Sequence, residues 1–160
     1  MRYHGAMAVY LALLMLFVAA AQRPTDIVKW SAAGPSRPVT ADGTASIELT
    51  AKIEDGWKLY ALTQPKGGPK PLAIEIADGA PFTIAKKQIV APKPKTLKDE
   101  NFSLETLYYE HEAVFTVPVA VSAAAAGKTE IPFEITFQAC GEGICLRPFT
   151  EKLAVRIANR

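Results

Sequence analysis

Two cysteines, Cys140 and Cys145, are the only thiols in this 160-residue chain, and both lie in the stretch FQACGEGICLRP, residues 137–148. Three chemistries are open to such a pair: a structural disulfide, a metal clip, or a redox couple that exchanges electrons with other thiols. Counting ligands weighs against the metal. Beyond the first 21 residues the soft donors are Cys140, Cys145 and His111, whereas a closed zinc site takes four ligands and copper(I) asks for further thiolates or thioethers. A metal is not expected. If both cysteines lay on one extended strand, five steps of about 3.3 Å would set their Cα atoms ~16 Å apart, beyond the ~7 Å reach of a disulfide. The chain must therefore reverse between them, and Gly141-Glu142-Gly143 supplies residues able to take positive φ. Chain entropy credits a six-residue ring with about 2 kcal/mol, against about 4.7 for a ring of a hundred residues. So short a ring is a weak staple, yet composition alone leaves the structural and redox readings both open.

The amino terminus sets the compartment. Arg2 and His4 precede the apolar run AMAVYLALLMLFVAAA, residues 6–21, after which the chain turns polar at Gln22 and Arg23. The run is shorter than the ~20 residues that span a bilayer and ends in small residues, so residues 1–21 read as a signal peptide cleaved near Ala21. No cysteine comes directly after it to carry a lipid anchor. The expectation is an exported, periplasmic protein in which residues 22–160 form one domain, large enough for a single core. Its scattered lysines and near-balanced charge argue against nucleic acid as a partner. In an oxidising compartment Cys140 and Cys145 are expected to pair.

Period-two alternation governs the elements that must position this pair. Ile47, Leu49, Ala51 and Ile53 share one face of ASIELTAKIE; Phe115, Val117, Val119 and Val121 do so in AVFTVPVAV, and Ile131, Phe133, Ile135 and Phe137 in IPFEITFQ. LAIEI (72–76), FTIAKKQIV (82–90) and KLAVRI (152–157) add further strands, with turn residues such as Asp42-Gly43, Asp55-Gly56 and Asp78-Gly79 between them. The pattern predicts an all-β, immunoglobulin-like antiparallel β-sandwich, with a barrel as the alternative. Pro118 and Pro132 read as edge positions or bulges, since proline donates no ladder hydrogen bond. Residues 91–105 read as an irregular loop long enough to act as a lid. Trp30 and Trp57 are expected in the core, and His111 on the surface. Glu142 would disfavour a thiolate on the pair and Arg147 would favour one.

The flanks of the cysteines carry more. The aromatic-Gln-x-Cys lead-in and the proline three residues past Cys145, together with DGWKLYALTQPKGGP (residues 55–69) and its Asp-Gly-aromatic-x-x-Tyr strand, resemble the N-terminal periplasmic domain of the thiol:disulfide interchange protein DsbD family. The resemblance implies a reductant relay without a cofactor. A membrane-embedded thiol reductase, acting in trans on this stand-alone module, would pass electrons to the pair. The pair would then reduce thioredoxin-fold periplasmic proteins that correct disulfides or mature cytochrome c. By the same resemblance Cys145 forms mixed disulfides with partners and Cys140 resolves them, which would make the chain a thiol-disulfide oxidoreductase. Tyr60 matches a tyrosine beside the pair, and Lys58 stands where better-known members carry a second aromatic. Phe102, preceded by Glu100 and Asn101, matches the tip of a loop that caps the cysteines, with Tyr108 or Tyr109 as alternatives. The spacer here is one residue shorter than in those members. From a different class, the alternative is a non-catalytic exported binding or structural module whose disulfide only closes a hairpin.

Overall fold

The computed structural model describes residues 22–35, 39–40 and 42–157; the predicted signal peptide lies outside the described residues. A one-turn helix, α1 (Pro24–Ile27), leads into β1 (Val28–Ala33). Ten strands follow: β2 (Thr44–Ile53), β3 (Lys58–Tyr60), β4 (Ala73–Ile76), β5 (Phe82–Ile84), β6 (Lys95–Asp99), β7 (Leu104–Tyr109), β8 (Glu112–Val121), β9 (Glu130–Phe137), β10 (Ala139–Cys140) and β11 (Phe149–Arg156). They form antiparallel sheets with the orders β1-β2-β8-β5, β10-β3-β7-β6 and β11-β9-β4. This is the immunoglobulin-like, all-β architecture that the alternation predicts.

The alternating residues do close the core. Ile47, Leu49, Phe115, Val117, Val119, Ile131, Phe133 and Ile135 are all fully buried. Each such side chain contributes about 1.5–3 kcal/mol of transfer free energy, so the shared apolar face outweighs any single polar contact in holding the sheets together. Aromatic packing ties one sheet to another: the Trp30 ring of β1 lies 5.9 Å from Phe115 of β8 and 6.2 Å from Phe137 of β9. Tyr109 joins the same core, edge-on to Phe115 at 5.5 Å.

Three sequence expectations need correction. Residues 82–90 are not one strand: β5 stops at Ile84, a 3-10 turn takes Lys86–Gln88, and Val90 rejoins through a single bridge to Thr116. Alternation fails there at the Ala85-Lys86-Lys87-Gln88 run, whose residues are all exposed. The prolines do not sit on edge strands, because β8 and β9 are both interior. Each proline instead marks the point where a shorter neighbour stops pairing. Pro118 O accepts from Ala85 N, one residue past β5, and Pro132 O accepts from Ala77 N, one residue past β4. A proline nitrogen facing that flank forfeits a bond that the ladder was about to lose. Finally, residues 91–105 are not an irregular loop: β6 and β7 pair from Lys95↔Tyr108 to Asp99↔Leu104, leaving a four-residue turn, Glu100–Ser103.

The sheet β10-β3-β7-β6 positions the cysteines. Its register sets Ala139 opposite Leu59 and Leu59 opposite Tyr109, all three in the main core. Side chains alternate, so the residues between them point to the other face. That face carries Cys140 opposite Lys58 and Tyr60 opposite Tyr108.

Candidate functional site

Cys140 and Cys145 are joined in a disulfide, with Cα atoms 4.1 Å apart. The reversal between them is a two-residue turn. Gly141 N donates to Ile144 O at 2.8 Å, Leu146 N donates to Ala139 O at 2.9 Å, and Gly143 takes φ +69°, the left-handed conformation that glycine adopts without strain. Gly141 is closely packed for a different reason: a Cβ there would come within 3.2 Å of the Trp57 indole, which would have to shift by a few tenths of an ångström. Trp57, expected in the core, is half-buried, packing on the core's margin and beneath the cysteine turn.

Gln138, identified in the sequence only as part of a motif, has a visible task. Its Nε2 donates to Leu146 O at 3.1 Å, and its Oε1 accepts from Lys70 N at 2.8 Å. One side chain thus ties the outgoing arm of the cysteine hairpin to the GGPKP loop.

The two cysteines differ in exposure: Cys140 is 3 % exposed, whereas Cys145 is partly exposed and directly follows Ile144, which is 62 % exposed. A second apolar cluster, separate from the main core, consists of Tyr60, Tyr108 and Cys140, with Phe102 and Cys145 packed against it. The Phe102 ring meets Tyr60 edge-on at 6.0 Å. Lys58 Nζ lies 5.7 Å from the centre of the Tyr108 ring. Of the residues singled out from sequence, Tyr60, Phe102 and Lys58 therefore gather around the pair. Glu100 and Asn101 are exposed and line, with Lys58, Cys140 and Glu142, an open cleft of about 210 Å³ between the β6–β7 turn and the cysteine turn. The adjacent tyrosines divide as strand geometry requires, Tyr108 toward the cysteines and Tyr109 into the core. His111 is exposed, its Nδ1 3.1 Å from Asp55 Oδ1. Glu142 and Arg147 are not buried, Glu142 standing exposed on the cysteine turn.

Sequence reasoning missed Asp99. It is 5 % exposed, and its carboxylate accepts the Tyr60 hydroxyl at 2.6 Å and the Asn101 N–H at 2.9 Å. The residue at the end of β6 thereby ties the turn carrying Phe102 to the tyrosine beneath the cysteines. Burial, then the bond to Asp99, raise the Tyr60 phenol well above its ordinary range. The available signal was an aspartate two residues before an amide at the start of a polar turn, the pattern of an Asx-turn. Among the described residues no group of His, Cys, Asp and Glu could hold a metal ion, and no helix is long and apolar enough to cross a membrane.

The sequence profile described as "Thiol:disulfide interchange protein DsbD, N-terminal" matches residues 26–157, which takes in every strand and both cysteines. The chain belongs to this family. The DsbD N-terminal fold is also the one it shares with solved structures. The N-terminal domain of DsbD from Neisseria meningitidis, in its reduced form, superposes with a TM-score of 0.59 at 16% identity, over 86% of this chain and 91% of that one. The N-terminal periplasmic domain of ScsB from Proteus mirabilis gives 0.61 at 17% identity, over 87% of this chain and 50% of that one. At such identities the likeness is one of fold. No curated protein sequence matches the chain significantly. Family membership and a disulfide-bonded pair together make this a thiol-disulfide exchange domain of the DsbD N-terminal type.

Proposed function

We propose that this domain works in the periplasm after export, residues 1–21 being removed as a signal peptide and residues 22–160 acting as one domain. It passes reducing equivalents through Cys140 and Cys145 to thioredoxin-fold partners, and a membrane-embedded thiol reductase acting in trans restores the dithiol. In the forward step the Cys145 thiolate attacks a partner disulfide, forming a mixed disulfide and releasing one partner thiolate. The Cys140 thiolate then attacks Cys145 Sγ, closing the intramolecular disulfide and releasing the second. Two electrons and two protons leave the domain, and no cofactor takes part. Disulfide correction and cytochrome c maturation are the processes such reductant serves.

The asymmetry of the pair carries this reading. Cys145 is the more exposed residue of the pair and lies under a turn, Phe102 at its tip, that is held by one short hydrogen-bond network. Such a turn can act as a cap that moves aside for a partner, with Tyr60, Lys58, Phe102, Glu100 and Asn101 forming the cap and its seat. The cysteine hairpin is moreover already closed by two backbone bonds and by Gln138, which leaves little for a purely structural disulfide to do. Equilibration with glutathione buffers tests the proposal. A potential well above about −300 mV, together with a mixed disulfide trapped in a Cys140→Ser variant, is the expected outcome. A potential below that value with no trapped species would leave only the hairpin clip.

A further inference from the structure

Lys58 is, among the described residues, the cation set directly opposite a reacting cysteine in the sheet. It is the Cα partner of Cys140 in the β3–β10 ladder, on the face that also carries Tyr60 and Tyr108. Directly opposed residues of an antiparallel pair hold their Cβ atoms about 5 Å apart. The side chain is half-buried and its ammonium is held over the Tyr108 ring, and among the described residues it forms no ion pair with a carboxylate. A partly desolvated positive charge beside a thiol favours the thiolate. We infer that Lys58 is the charge partner of Cys140 in the reduced domain, holding it as the thiolate that resolves the mixed disulfide.

The groups that face Cys140 do not all act in this direction. From the β6–β7 hairpin come Asp99, Glu100 and Lys98, and from its own turn Glu142; the phenols of Tyr60 and Tyr108 complete the surroundings. Glu100, Glu142 and Lys98 are exposed, so water and salt screen them. Asp99 is buried, and the Tyr60 hydroxyl and Asn101 N–H that its oxygens accept are neutral donors, so its carboxylate acts against a thiolate on Cys140. Lys58, in register with Cys140, is the cation placed to offset these carboxylates at the resolving thiol. Its effect falls on the second chemical step: the proton leaves Cys140 before attack, the new bond is Cys140 Sγ to Cys145 Sγ, and the bond broken is that between Cys145 and the partner. Lowering the thiol's pKa by about one unit raises the thiolate fraction about tenfold and lowers its nucleophilicity about threefold, so resolution near neutral pH gains roughly three- to fourfold.

This inference rests on the exchange reading, but its test does not. In a Cys145→Ser chain Cys140 is the sole cysteine, and its ¹³Cβ shift followed across pH reports thiolate formation without requiring access to the sulfur. Lys58→Met, which keeps the stem against Tyr108, is expected to raise the midpoint by about one unit, and Lys58→Arg to restore it. A midpoint unmoved or lowered in Lys58→Met overturns the assignment. A second measurement needs no change at Lys58: salt raised from about 0.1 to 1 M shortens the Debye length from ~10 to ~3 Å and is expected to move the midpoint up. A downward move shows the carboxylates in command and overturns it as well. An unmoved midpoint with normal glutathione exchange removes Lys58 alone, whereas a shifted midpoint in a protein that fails to exchange supports the charge pairing and sinks the exchange reading.

Discussion

Removing one oxygen atom, in Tyr60→Phe, tests whether the β6–β7 turn guards the disulfide. The hydroxyl donates to Asp99 at 2.6 Å inside a cluster where both residues are buried. A hydrogen bond to a charged acceptor has a net worth of about 1.5–3 kcal/mol, and the buried carboxylate left behind retains only the Asn101 N–H. The phenyl ring keeps the edge-on contact with Phe102, so the change falls on the polar tie rather than on packing. If turn opening is what exposes Cys145, its equilibrium constant rises about ten- to a hundredfold, since each ~1.4 kcal/mol is a factor of ten. The assay is the rate at which a bulky phosphine reduces the Cys140–Cys145 bond, scaled to the rate for the chain in denaturant. Faster reduction by at least about tenfold is expected. A rate within about twofold of the parent, accompanied by a lower thermal midpoint, would refute the reasoning: the bond would then hold the fold and not the turn.

Four further outcomes follow from the same geometry. Phe102→Ala, which removes a half-buried ring resting on Tyr60, is expected to speed disulfide reduction while costing the whole fold only about 1 kcal/mol, read as a small shift in denaturant midpoint. Gly143→Ala is expected to cost about 1–2 kcal/mol from the positive φ alone, since nothing lies within 4 Å of its Cβ. Gly141→Ala instead pushes on Trp57, so its signature is a changed indole emission, absent in Gly143→Ala. Stability is expected to fall in alkali: Tyr60 and Tyr109 have raised phenol pKa values in the fold, mainly through burial, so the folded state holds protons that the unfolded chain releases near pH ~10. That contribution is complete below about pH 10 and is lost as pH rises beyond it, and a urea series from about pH 8 to 11 should show a shallower decline in Tyr60→Phe.

Much of the fold is legible because alternation at period two is a local property. Every inward residue named in the strands around Ile47, Phe115 and Ile131 is buried, since a sheet with one wet face must sort its side chains this way. The exceptions share a cause. Pro118 and Pro132 read as edge residues because sequence shows the missing donor and not which flank it faces; in the sheets that flank is where β5 or β4 has just ended. The β6 strand, KTLKD, reads as loop because only Asp99 of its five residues is buried, so no alternation marks it.

At the site, the sequence by itself determined which two atoms can bond, that the chain must reverse between them, and that glycines make the reversal. The family resemblance also singled out Tyr60, Phe102 and Lys58 as neighbours. The tertiary structure alone decided how they act together, because cross-strand register is not written in any one segment. Register sets Lys58 opposite Cys140 and Tyr60 opposite Tyr108 on one face, and it brings Asp99, 39 residues from Tyr60 along the chain, within hydrogen-bond reach of its hydroxyl. A carboxylate and a phenol are each ordinary in sequence; only their meeting makes the buried tie between the turn and the strand beneath it.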